Sequence, residues 1–433
     1  MTDPSRSPAP FSVDWHRRRS RRQALLALGA ALGIAVAHAP AALGWSLGSG
    51  VRRGGRGPLA DASRLIGIEQ ISVVPETRKP QPVQQATLRP QLRMRIAQLL
   101  LVGFTGTSVD GSSAIVRDVV DRGLGGVVLF DRFTGSGRVR NIASPTQLAN
   151  LTATLQAAAG RSALGTPLLV AVDQEGGQVA RLNPRDGFPG TYSAAVLGRM
   201  NDPAFTQGQG RAIAQQLAAA GINLNLAPVV DLNLNPANRI IGGAGRSFSG
   251  DAGVVTQQAK AFIAGHHEVG VLTAIKHFPG QGSASGDTHR GSVDVTGNWT
   301  DYELQPFANL IADGAVDAVM TSHIYNRGID ATYPATLSAP TLAILREQLG
   351  WQGVVISDDL KMAAISGVYR FADALALALN AGVDLLTIGQ TSATTVTDTI
   401  DTIEALVRAG AVSEARIDEA YGRIMGLKAR LAG

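Results

Sequence analysis

An aspartate and a histidine two residues apart, Asp287 and His289, lie in the run Lys276-His277-Phe278-Pro279-Gly280-Gln281-Gly282-Ser283-Ala284-Ser285-Gly286-Asp287-Thr288-His289. The run reads as a strand ending in Lys276-His277 that passes into a glycine-rich loop. At this spacing the carboxylate can bond one imidazole nitrogen and fix the ring's tautomer. The other nitrogen is then free to deliver and recover a proton near neutral pH. The pair suits general acid/base work; a turn-forming aspartate in a solvated loop is the alternative.

A second carboxylate stands at the end of a very apolar run, in Ile356-Ser357-Asp358-Asp359-Leu360. Ser and Asp before Leu360-Lys361-Met362 also fit a helix N-cap. Two adjacent acids permit both roles, one capping and the other facing a cavity, and Asp358, nearer the strand, is the expected nucleophile. Asp173-Gln174-Glu175-Gly176-Gly177 with Arg181 behind it offers a strand-end carboxylate, a Gly pair that lets backbone approach a ligand, and a guanidinium. Carboxylates that accept from paired hydroxyls hold sugar rings, and Arg246 and Lys276 can hold further oxygens of the same ring. Asp173 and Arg181 also fit a plain ion pair. His266 and His267 read as solvated helix-surface residues, and His323 as support behind the site rather than a metal ligand.

These side chains need a frame that gathers them. From residue 96 the chain alternates short apolar runs with longer helical patterns, which argues for βα units and a parallel sheet. The runs are Leu99–Phe104, Gly126–Phe130, Leu168–Asp173, Ile222–Val230, Leu272–Phe278, Ala318–His323, Val354–Asp358 and Leu385–Ile388. Between them lie Ala-rich amphipathic segments such as Gly208–Ala220, Val254–Gly270 and Ala372–Ala381, each closing on Gly. The pattern predicts an α/β fold, a single (β/α)8 TIM barrel, which closes the sheet and leaves no edge. In that fold the residues just after each strand face one cavity. The polar residues fall at those points: Asp173 after the third strand, Asp231 after the fourth, Lys276 and His277 at the fifth, His323 at the sixth, Asp358 and Asp359 at the seventh.

Charge and cysteine content narrow the function further. The chain of 433 residues carries a net +5, but residues 1–95 hold 15 Lys+Arg against 5 Asp+Glu and the remainder 24 against 29. The body is mildly acidic, which excludes a general nucleic-acid-binding surface. With no Cys, a lipobox anchor, a disulfide, a thiolate metal site and a cysteine nucleophile are excluded. Residues 1–45 read as an export leader: five arginines between Arg17 and Arg22, then an apolar stretch from Ala24 to about Leu43. Within it Ser20-Arg21-Arg22-Gln23-Ala24-Leu25 resembles a twin-arginine signal. Ala35-Val36-Ala37 offers a cleavage site, and an uncleaved membrane anchor stays open. Residues 46–91, rich in Gly, Arg, Pro and Gln, read as a linker whose cations can lean on membrane or cell-wall polymer. Residues 92–433 form the expected catalytic barrel. The expected location is outside the cytoplasm, in the periplasm or cell envelope.

Six ordered motifs carry a family resemblance: Leu169 to Leu182, Leu226-Ala227-Pro228-Val229-Val230-Asp231, Arg246-Ser247-Phe248-Ser249, Lys276-His277-Phe278-Pro279-Gly280, Asp287-Thr288-His289 and Ser357 to Met362. Together, over about residues 92–431, they resemble glycoside hydrolase family 3 and its β-N-acetylhexosaminidase branch in particular. The resemblance implies a retaining mechanism on terminal β-linked N-acetylglucosamine. Asp358 would attack the anomeric carbon, with His289, oriented by Asp287, as acid/base. It assigns Asp173, Arg181, Arg246, Lys276 and His277 to the sugar subsite. No metal or cofactor is implied, because charge developing at the anomeric carbon is met by carboxylate. Members acting as β-glucosidases usually recruit a Glu from a second, C-terminal domain. Here the sequence reaches Gly433 directly after the last barrel helix, so the loop dyad is expected to do that work. Gln281 stands where the family often has His, and Ile241–Arg246 runs two residues longer than the common pattern. The expected activity is hydrolysis of N-acetylglucosamine from peptidoglycan fragments or related glycoconjugates. The rivals are a family 3 β-glucosidase, a glycoside phosphorylase and an idle envelope glycan-binding protein. The sequence leaves the oligomeric state open.

Overall fold

Eight short, mostly apolar runs, almost wholly buried, pair as parallel strands in the computed structural model, which describes residues 92–431. The leader and linker expected over 1–45 and 46–91 lie outside the described residues. In chain order the barrel strands are Leu100–Val102, Gly126–Leu129, Leu169–Val172, Leu224–Asn225, Leu272–Phe278, Ala318–Thr321, Val354–Ile356 and Leu386–Ile388. Each pairs with its sequence neighbour, and the first also pairs with the eighth, Leu100 opposite Leu386. The seventh and eighth meet through a bridge between Ile356 and Leu385, with the Ser357 amide donating to the Leu385 carbonyl at 2.9 Å. The ring is thus nearly closed. Strands covered on both faces are mostly apolar, as a parallel sheet wrapped by helices requires, and polar members such as Asn225, Thr273, Lys276 and His277 are buried with hydrogen-bond partners.

The observed strands are shorter than the apolar runs that announced them. The fourth departs most: regular pairing stops at Asn225 where the sequence pattern continued to Val230. Pro228 has no N–H to give to a ladder, and the segment rejoins the fifth strand only at the bridge between Val229 and Lys276.

Several helices begin where short polar side chains cap them. Asp202 accepts from the Phe205 amide at 3.1 Å and Pro203 follows at the first turn, so the third crossover helix is Pro203–Ala219, longer than the Gly208–Ala220 pattern. Asp251 caps Ala252–His267 in the same way. That helix corrects one expectation. His266 is buried, not solvated: its Nδ1 bonds the Phe262 carbonyl at 2.9 Å and its Nε2 the Asn225 side chain at 3.0 Å. Asn225 sits on the fourth strand and needs a polar partner on the helix that covers it. Burial pushes the His266 ring down to about 4, so it stays neutral there. His267, on the next face, bonds Asp317 at 2.8 Å.

The long connection after the fifth strand carries a short strand of its own, Val293–Asp294, paired in parallel with Ile324–Tyr325 after the sixth. Ala284, Val293, Val295, Ile324 and Ala335 form a small separate core beneath Trp299. In the last helix, Glu414–Ala429, Lys428 is buried, its Nζ donating to Gln98 Oε1 at 2.7 Å. Among the described residues no helix is long and apolar enough to cross a membrane.

Candidate active site

Two cations and two carboxylates lock together where the third and fifth strands end. Lys276 Nζ donates to Asp173 Oδ1 at 2.6 Å and to Glu175 Oε1 at 2.8 Å. Arg246 Nε and Nη2 grip both Glu175 oxygens at 2.7 Å, and Nη1 donates to the Ile240 carbonyl at 2.8 Å. This fork-on-fork geometry is the strongest form of the guanidinium–carboxylate pair. Burial opposes charge on Glu175, Lys276 and Arg246, yet the attraction of the opposite charges wins. Arg246 and Lys276 hold the Glu175 carboxyl far below the usual carboxylate range, and Asp173 and Glu175 keep Lys276 above its ordinary value.

His277 extends this network to the fourth strand. Asp231, fully buried, accepts from His277 Nδ1 at 2.7 Å, which leaves Nε2 as the acceptor facing Arg246 Nη2 at 3.3 Å. A second Asp231 oxygen accepts from the Gln281 amide at 2.9 Å, at the root of the glycine-rich loop. Arg181 is held more loosely. Its Nη2 lies 3.8 Å from Asp173 and its Nη1 3.7 Å from Asp131, and its Nε has no hydrogen-bond partner among the described residues. Lys276 is only 2% exposed, whereas the Asp173 and Arg181 side chains are 20% and 32% exposed. Asp173 and Arg181 form the open polar edge of the cluster, and Arg246 and Lys276 its buried backing.

At the seventh strand the two adjacent acids separate in role. Asp359 ties the following turn: its Oδ1 accepts from the Lys361 and Gly389 amides, each at 2.9 Å. A Cβ at position 389 would fall 2.4 Å from Asp359 Oδ2, so the eighth strand must end in glycine for this carboxylate to fit. The next helix starts at Ala363 with Met362 as its N-cap residue, so neither acid caps it. Among the described residues, the Asp358 carboxylate accepts from the Asp359 amide alone, at 2.8 Å. Burial resists its ionisation, but the imidazoles of His323 and His277, the Asp359 amide and His289 hold its carboxyl below the ordinary value. His323 supports from behind, its Nε2 donating to the Asp359 carbonyl at 3.0 Å and its Nδ1 bonding Thr336 at 2.8 Å.

The loop dyad forms as its spacing suggests. His289 Nδ1 bonds Asp287 Oδ1 at 2.9 Å, and the His289 amide donates to the same oxygen at 2.9 Å. With Nδ1 engaged, Nε2 is the nitrogen available for proton transfer, on a side chain 62% exposed. Between the two, the Thr288 carbonyl accepts from the Ala364 amide at 3.3 Å. The dyad is therefore docked on the short helix Ala363–Ser366 that follows the turn after Asp358. The carboxylate cluster, Asp358 and the dyad all belong to the ends of barrel strands or the loops that leave them, the face where such folds gather their chemistry.

Residues 91–427 match the glycosyl hydrolase family 3 N-terminal domain. The chain belongs to glycosyl hydrolase family 3. It is similar to the β-hexosaminidase LpqI of Mycobacterium tuberculosis, 32% identical over 421 residues that cover 94% of this chain and 97% of that one. It is also similar to β-hexosaminidase A of Pseudoalteromonas piscicida, 36% identical over 279 residues, 60% of this chain. Among solved structures, the family 3 β-N-acetylglucosaminidase of Paenibacillus sp. str. FPU-7 superposes with a TM-score of 0.72 at 35% identity, over 79% of this chain. The chain spans 45% of the length of the Pseudoalteromonas relative and 62% of the Paenibacillus chain.

The family 3 site contains two buried acids to which the sequence reading gave no role. Glu175 neutralises Arg246 and Lys276; the signal available was charge balance, since two buried cations need more than Asp173. Asp231 was noted as a strand-end polar residue, and its part in orienting His277 needs the fold to be seen.

Proposed function

We propose that this family 3 chain is a retaining exo-β-N-acetylhexosaminidase that releases terminal β-linked N-acetylglucosamine from peptidoglycan fragments or related glycoconjugates of the cell envelope. The sugar's hydroxyls meet Asp173, Arg181 and His277, with Lys276 and Arg246 fixing the carboxylates behind them. Asp358 attacks the anomeric carbon as His289, in its imidazolium form, protonates the departing oxygen. The glycosidic C–O bond breaks and an ester to Asp358 forms. Neutral His289 next takes a proton from water, whose oxygen attacks the anomeric carbon and frees the Asp358 carboxylate. One imidazole serves both steps in opposite protonation states, and Asp287 holds the ring through the cycle.

The observation that carries this reading is the bond between the Thr288 carbonyl and the Ala364 amide. It joins the acid/base loop to the short helix that follows Asp358, which supports one mouth shared by proton donor and nucleophile. The activities named for the Mycobacterium, Pseudoalteromonas and Paenibacillus relatives support the choice of sugar. Export to the envelope rests on the leader sequence alone, and N-terminal sequencing of envelope material tests it.

The decisive experiment is mass spectrometry of protein trapped with a slow fluorinated N-acetylglucosaminyl substrate, beside turnover of an aryl N-acetyl-β-glucosaminide. A label on Asp358 is the expected result, and a label on any other residue overturns the assignment. Faster turnover of the plain aryl glucoside would point to a β-glucosidase, turnover dependent on added phosphate to a phosphorylase, and glycan affinity with zero turnover to an idle binding protein.

A further inference from the structure

The connection from Pro279 to Ser292 has two tasks that conflict unless they are divided along its length, because its tip must reach a substrate while its root must stay in register with the barrel. The root is held by buried polar groups. The Asn238 side chain donates to the Gln281 carbonyl at 2.9 Å, and the Ser322 hydroxyl to Gln281 Oε1 at 2.7 Å. Glu303 makes the densest contact: its Oε2 accepts from the Gly282 amide at 2.8 Å and the Ser283 amide at 3.4 Å, and its Oε1 from the Ser283 hydroxyl at 2.5 Å. Glu303 is 0% exposed, and among the described residues no cation pairs with it. A carboxyl buried without a cation is costly unless hydrogen bonds compensate it, and here the donors all belong to the loop. Burial pushes it up to about 7, against the pull of the Ser283 and Gly282 donors. The approach is close: at Gly280, with φ +106, a Cβ would fall 2.7 Å from the Glu303 Cβ. Gly280 therefore cannot carry a side chain while Glu303 stays in place.

We propose that Glu303 is a positioning residue for the acid/base loop, its carboxylate gripping Gly282 and Ser283 so that His289 is presented to the leaving oxygen. The proposal rests on the reading that His289 is the proton donor. It has no role for Glu303 in contact with sugar. Its loss therefore weakens proton donation specifically, and substrates differ in how much donation they need. A glycoside with a poor leaving group needs the proton; a dinitrophenyl glycoside leaves almost without it.

The test compares kcat/KM of wild type and Glu303→Gln on an alkyl and a dinitrophenyl N-acetyl-β-glucosaminide, with hydrogen exchange of the 281–291 amides measured beside it. The expected result is a loss of about 10- to 100-fold on the alkyl substrate, within the range of positioned acid catalysis. On the dinitrophenyl substrate the loss is less than about 3-fold. Exchange over 281–291 is faster, with strand amides unchanged. Equal losses on both substrates, or none on either, overturn the proposal. If Glu303→Gln does not fold, Ser283→Ala, which removes one donor to the same carboxylate, must show the same selective loss in weaker form or the proposal fails. An inactive wild type, or a trapped label away from Asp358, would instead bring down the underlying reading. Unchanged exchange in Glu303→Gln would still refute the grip itself.

Discussion

Replacing Glu175 with Gln removes one negative charge from between Arg246 and Lys276 while leaving the side chain's shape. Both cations are buried, at 11% and 2% side-chain exposure, and Asp173 becomes the remaining carboxylate bonded to Lys276, with Arg246 left without one. Breaking a buried, hydrogen-bonded pair from one side costs about 3–5 kcal/mol. Unfolding entropy is about 2.1 cal/mol/K per residue, so the body over residues 92–431 carries about 0.7 kcal/mol/K. The loss should appear as a fall in Tm of about 4–7 °C. The pH dependence has a definite sign. A carboxyl whose folded pKa is held far down stabilises the fold above its unfolded value, about 4.3, and that contribution is lost as pH falls through the acid range. Calorimetric melts of wild type and Glu175→Gln should differ by a constant amount from about pH 8 down to about pH 5, and the difference should begin to shrink below about pH 4. Asp173→Asn, at a more open position, should cost less. A Glu175→Gln protein melting within about 1 °C of wild type near neutrality would show that the two cations do not depend on this carboxylate.

Substituting His289 with Asn should lower kcat by about 10² to 10⁴ without moving Tm, because the ring is largely exposed; a drop of less than about 10-fold would remove it from proton transfer. Lys428 gives a second pH prediction. Burial lowers its ammonium to about 7 in the folded chain against about 10.4 when unfolded. Its contribution is therefore fully favourable only above the unfolded value and is lost as pH falls through about 10 to about 7. Lys428→Met should flatten the rise in urea midpoint between about pH 7 and about pH 10, and an unchanged slope would show that Lys428 stays charged.

Much of this architecture is legible in residue order because its physics is local. Parallel strands buried on both faces must be largely apolar, so all eight runs announce themselves, and Leu272–Phe278 matches its strand residue for residue. Strand ends must be polar where they meet solvent or ligand, which is why Asp173, Lys276, His277 and Asp358 stand out. Asp287 and His289 are neighbours in sequence, so their contact follows from spacing alone. What escapes is the support supplied from a distance. Glu303 sits in Asp301-Tyr302-Glu303-Leu304, where acids before a helix ordinarily favour its dipole, and nothing local says that its carboxyl turns to Gly282 and Ser283. His266 looked solvated because its need for burial comes from Asn225, on another element. Pro228 in the fourth run was a warning of a short strand that the apolar count outweighed.

The pairing of Leu100 with Leu386 and of Val102 with Ile388 makes neighbours of the chain's earliest and latest barrel segments. During synthesis the first strand therefore waits, one edge uncovered, until Leu386–Ile388 has left the ribosome. A fragment ending before Leu386 keeps Asp358 and the Asp287–His289 dyad yet lacks the stave that completes the ring. Cutting the gene there yields the proposed nucleophile and proton donor on a sheet with two open margins, prone to pair with its own copies.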